Sequence, residues 1–102
     1  MRIYDTEIRY SLRMQVAYEQ ITGHAYTGSH PVTDSTTLLY CALVTAKEPP
    51  EGLTYDGLLE WLDEHPVELV RFGDWLRDES ERVRLLTAST SEEEGKDDKK
   101  KD

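Results

Sequence analysis

The stretch "LLYCALVTA" (Leu38–Ala46) decides how this chain folds, because it opens with seven apolar or aromatic residues in a row. Elsewhere the sequence is polar, with 32% charged residues. Two readings compete for the run. Val, Tyr and Cys tolerate a sheet, whereas Leu38, Leu39, Ala42, Leu43 and Ala46 recur three and four apart, on one face of a helix. Length decides for the helix. From a cap at Thr33 or Asp34 to Lys47 the segment is about thirteen residues long, against about five or six for an ordinary strand. Tyr40, Cys41 and Val44 cover much of the remaining surface, so such a helix must be enclosed by neighbours.

Those neighbours are legible on both sides. Downstream, Pro49 and Pro50 end the run, since they lack backbone donors and restrict the residues before them. Thr54 then caps a helix over Tyr55–Glu64 with Tyr55, Leu58, Leu59 and Leu62 facing inward. Gly57 weakens that helix by about 1 kcal/mol relative to Ala, which points to close packing against another element. Pro66 opens a further helix, Val67–Leu86, whose stripe is Leu69, Phe72, Gly73, Leu76, Val83 and Leu86. On its polar side Glu81 and Arg84 are spaced for an ion pair.

Upstream, Met14, Ala17, Tyr18 and Ile21 line one face of a helix over Arg13–Thr22, and Gly23 supplies its left-handed stop. Before it, Ile8, Tyr10 and Leu12 alternate with Glu7, Arg9 and Ser11, the pattern of a short strand or extended arm. The polar loop from His24 carries Tyr26, which is placed to pack back onto the body. The sum is a mostly α protein: a small bundle of about four helices with a short N-terminal β-strand or extended arm. Residues 1–86 form one domain, and the polar, charge-dense residues 87–102 are expected to be a disordered tail.

Composition excludes several functions. The chain has 21 acidic and 12 basic residues and a formal charge of -9, and 15 of the acids against 8 of the bases precede residue 92. Phosphate-neutralising nucleic-acid binding is therefore disfavoured. A DNA-associated regulator would need a cationic face, for which Arg71, Arg77, Arg82 and Arg84 are the candidates. No signal peptide or membrane-length apolar run is present. Cys41 is the one cysteine; inside the apolar run it reads as a small buried hydrophobe, with no disulfide or cysteine metal cluster possible within one chain.

Chemistry finds no foothold. His24, His30 and His65 lack the spacing of a helical zinc site, and no phosphate-binding glycine loop is present. Carboxylate pairs such as Glu60 with Asp63 and Glu64, or Asp74 with Asp78, arise on any acidic amphipathic helix. Arg9 and Arg13 beside Tyr10 form a basic aromatic strip, but Glu7 and Glu19 flank it. No catalytic, metal or cofactor-binding residue is assigned. The aromatic stock points to protein binding instead. Tyr18, Tyr40, Trp61 and Trp75 are the candidate anchors, with both tryptophans beside their helices' main apolar stripes.

Three segments carry a resemblance: "LRMQVAYEQITG" (Leu12–Gly23) with its Glu19, Thr22 and Gly23 ending, "DSTTLLYCALVTA" (Asp34–Ala46), and "LTYDGLLEWLDEHP" (Leu53–Pro66). In order and pattern they resemble small phage tail assembly chaperones of siphophage and gene-transfer-agent type. The resemblance implies a non-catalytic, mostly helical factor that keeps the tape measure protein soluble and helps recruit the tail tube protein. It would act in the host cytoplasm, possess no cofactor, be open to homo-oligomerisation, and be absent from the mature virion. A frameshifted longer product is compatible with the polar end. The alternative is another small interaction or structural subunit of a phage or mobile element.

Overall fold

In a computed structural model the chain forms a hairpin, β1 (Arg2–Ile3) and β2 (Thr6–Glu7), followed by four helices: α1 (Leu12–Thr22), α2 (Pro31–Val44), α3 (Tyr55–Glu64) and α4 (Pro66–Lys101). Residues 1–101 are described, with side chains for 1–86. The span expected to be a disordered tail, 87–102, is drawn as the continuation of α4 past Leu86 to Lys101, with Asp102 outside the described residues. The architecture is the expected small four-helix bundle, and the strand or arm is an antiparallel hairpin pairing Arg2 with Glu7 and Ile3 with Thr6.

Helix α2 is the centre of the bundle, packed against α1, α3 and α4. Leu39, Cys41 and Leu43 are fully buried, and Leu38 and Ala42 nearly so. Burial of this kind on several faces is what the uninterrupted apolar run required. Met14 and Tyr18 from α1, Leu58 and Leu62 from α3, and Phe72 and Leu76 from α4 close around it, joined by Ile3 and Ile8 from the hairpin region.

The helix ends follow local chemistry. The Ser11 hydroxyl accepts from the Met14 N–H and caps α1, while Gly23 at φ 80° ends it. The Thr54 hydroxyl accepts from the Gly57 N–H and caps α3 over the span expected for it. Helix α2 starts earlier than expected, at Pro31, whose absent N–H costs nothing in a first turn. Asp34 is therefore not the cap but the fourth residue of the helix. Its carboxylate reaches back to accept from the His30 N–H at 3.0 Å, and Thr33 makes no cap. The helix also stops at Val44, short of Lys47.

Other expectations change. The alternating segment Ile8–Leu12 is not a strand: Ile8 is buried, Tyr10 half-buried, and Leu12 opens α1 with 75% exposure. The pairing lies earlier, and Tyr4 and Asp5 form the tight turn with φ of 56° and 54°, the doubly positive geometry of a two-residue hairpin. Ile21 is 56% exposed; at that end of α1 the Tyr26 ring meets Tyr18 edge-on at 5.6 Å. Gly57 is not pressed by another element; a Cβ there would lie 3.0 Å from its own cap, Thr54 Oγ1. Leu86 stays largely exposed at the end of its stripe.

Candidate partner-binding cleft

The candidate anchors do not form one patch. Tyr18 is 1% exposed and sits inside the core, so it offers no ring to a partner. Its hydroxyl has no hydrogen-bond partner among the described residues. Burial, reinforced by the Asp34 charge, pushes it up to about 12. Tyr40 is half-buried on α2 and meets Tyr55 edge-on at 5.8 Å; the Tyr55 hydroxyl in turn bonds Thr36 at 2.8 Å. Trp75 is half-buried between Phe72 at 5.8 Å and Tyr10 at 6.4 Å. Burial pushes the Cys41 thiol up to about 11, the state of an unreactive core residue.

Trp61 is different, because its supports also build a cleft. On one side its indole stacks on His65, centroids 4.6 Å apart at 22°. On the other it meets the edge of Tyr4 at 5.1 Å and 73°. His65 is itself held: its backbone N–H donates to the Trp61 carbonyl at 2.9 Å, and Nδ1 lies 2.9 Å from the same oxygen. A Trp held on both sides loses little freedom when a partner binds, which favours an anchor.

The cleft, about 470 Å³, is lined by Tyr4, Asp5, Thr6, Glu48, Pro50 and Trp61. A second depression, of about 290 Å³, reaches Tyr4 and Trp61 from the side of Ile3, Glu68 and Arg71. Neither Asp5 nor Glu48 enters an ion pair among the described residues. Aromatic faces beside two carboxylates that enter no ion pair form a receptor for a cationic side chain. Tyr4 reaches this place only by adopting φ 56°, an unusual conformation for a bulky residue that concentrates at functional positions.

The α4 arginines present no cationic face. Arg71 pairs with Glu68, Arg77 with Asp74, Arg82 with Glu79 and Arg84 with Glu81, each one turn apart. The Glu81–Arg84 pair is the one the spacing suggested; it holds the Glu81 carboxyl below its ordinary range. Among the described residues no group of three or more His, Cys, Asp or Glu is placed to hold a metal ion, and no helix is long and apolar enough to cross a membrane.

Tyr4, Asp5 and Glu48 were not among the residues singled out from sequence. A non-glycine turn pair carries no strong hairpin signature, and Glu48 joins the site only through the fold. No family model matches this chain, and no curated protein and no solved structure is significantly similar to it.

Proposed function

We propose that this protein is a non-catalytic partner-binding factor that grips a basic segment of another polypeptide at the Trp61–Tyr4 cleft. The observation that carries the reading is the half-buried indole of Trp61, braced by Tyr4 and His65 beside the unpaired carboxylates of Asp5 and Glu48. A Lys or Arg stem lies along the rings while its charge meets the acids. The surrounding negative charge steers basic segments toward it and keeps the complex soluble.

The resemblance carried by Leu12–Gly23, Asp34–Ala46 and Leu53–Pro66 gives the partner a name. In this reading the protein is a phage tail assembly chaperone and the client is the tape measure protein, with the tail tube protein displacing it later. It acts in the host cytoplasm and does not remain in the finished particle. The pairing of all four α4 arginines argues against the DNA-regulator reading, because counterion release requires cations not already neutralised by the protein's own acids.

Size-exclusion chromatography with and without the tape measure protein encoded downstream tests this. A complex that Trp61→Ala disperses, with the fold intact by circular dichroism, supports it. Independent elution of the two proteins sinks the chaperone assignment, and so does finding this chain in purified virions. A complex unaffected by Trp61→Ala sinks the cleft.

A further inference from the structure

The basic residues of the body fall into two sets. Those on α4 are each spent on an acid one turn away. The other four, Arg2, Arg9, Arg13 and Lys47, all precede α3 in the sequence, and none of them enters a side-chain ion pair among the described residues. Three of these, Arg9, Arg13 and Lys47, line one cleft of about 480 Å³ between the segment after β2, the start of α1 and the end of α2.

The rest of the lining suits an anionic chain. The Ser11 hydroxyl oxygen accepts from the Met14 N–H at 3.2 Å, which leaves its proton free to donate outward. Ala42 and Ala46 give a floor of short side chains, so a peptide backbone can approach closely. The α1 N-terminus adds its partial positive charge and has no acid in its first turn to absorb it. The acid in the cleft, Glu7, is held by the Met1 ammonium at 2.8 Å, and this hydrogen bond lowers its pKa. Its charge is already met. Thr45 spends its hydroxyl proton on the Cys41 carbonyl at 2.7 Å and contributes no donor.

We infer that this cleft binds an acidic peptide segment of a partner protein, with Arg9, Arg13 and Lys47 receiving successive carboxylates. Charge complementarity names the ligand: in a chain of net charge -9, unpaired cations gathered on one cleft attract what the rest of the surface repels. Carried on three separate segments of the chain, the cations match carboxylates repeated along a chain better than one compact oxyanion. The inference stands on these residues whatever the identity of the client.

Fluorescence anisotropy of the full chain with a labelled peptide alternating Glu and Gly tests it, alongside a Lys-Gly peptide and inorganic phosphate as competitor. The Glu peptide should bind, weaken as salt rises, and lose about tenfold in affinity, 1.4 kcal/mol, in Arg9→Gln/Arg13→Gln. Arg82→Gln on α4 should bind it as the parent does. Amide shifts on peptide addition should centre on Arg9, Ser11, Arg13 and Lys47. Absence of binding overturns the inference, as does equal loss in Arg82→Gln. Phosphate that displaces the peptide at equal concentration would make the cleft a free-oxyanion site and overturn it too. These variants leave Trp61, Asp5 and Glu48 in place, so failure here and failure of the Trp61 cleft give different patterns.

Discussion

The middle of α2 and the N-terminal hairpin are built on opposite principles. Between Leu38 and Leu43 the buried side chains are apolar or small, and no charge intrudes. Around the hairpin, half-buried rings, strained backbone and unpaired charges of both signs crowd into a turn joining strands of two residues each. The first region supplies stability and lends a partner only Ala42 in the floor of one cleft; the second adds only Ile3 and Ile8 to the buried core and lines both clefts. Chemistry that would be costly in a core is tolerated where solvent reaches it.

The largest expected effect tests the first half of that contrast. Leu39→Ala empties a fully buried position in the central helix and should cost about 2–5 kcal/mol, seen as a lower urea midpoint. Leu12→Ala removes the same atoms from a site 75% exposed and should stay within about 0.5 kcal/mol. Equal losses would mean that α1 packs differently from the structure described.

The core should also betray itself at high pH. Tyr18 moves from 10 unfolded to about 12 folded, and Cys41 from 9 to about 11. The unfolded chain therefore releases these protons first. The stability these groups contribute is whole below pH 9 and drains as pH climbs through 11 for Cys41 and 12 for Tyr18. The tyrosine share is on the order of 2 kcal/mol. Tyr18→Phe, which removes a buried hydroxyl that makes no close hydrogen bond and feels the Asp34 carboxylate, should shift neutral-pH stability by no more than about 1 kcal/mol while flattening the alkaline loss. An unchanged alkaline slope would place the Tyr18 hydroxyl in solvent.

Much of the core was legible because period and punctuation agree there. The Thr54 cap, the Gly23 stop, the Pro66 start and the Leu38–Leu43 run each state their role within a few residues. What stayed hidden depends on residues distant in sequence. The Asp34 carboxylate was legible as a cap but not as a group reaching back to His30, because Pro31 had already begun the helix. Tyr18 was legible as an aromatic on an apolar face, but not as a member of the core cluster with Tyr26 and His24 packed against its ring. The Arg9–Arg13 strip was visible in sequence and discounted for Glu7 and Glu19; Lys47, beyond the end of α2, joins it only in three dimensions. Sequence distance concealed the charges, and the missing glycine concealed the turn.

That turn gives the smallest effect and the sharpest test of the contrast. Asp5 adopts φ 54°, which Gly accepts without the Cβ penalty. Asp5→Gly should therefore raise stability, but by only about 0.5–1 kcal/mol, since Asp tolerates this conformation better than most residues and Gly loses more entropy on folding. The same change removes one of the two carboxylates beside Trp61 and should weaken capture of a basic partner segment. A variant that folds more stably and binds less well, read by thermal melting and by anisotropy with a Lys-Gly peptide, would establish that the strained turn is kept for the charge it positions. If stability and binding rise together, Asp5 is no part of the recognition surface, and the acid beside the indole that matters is Glu48.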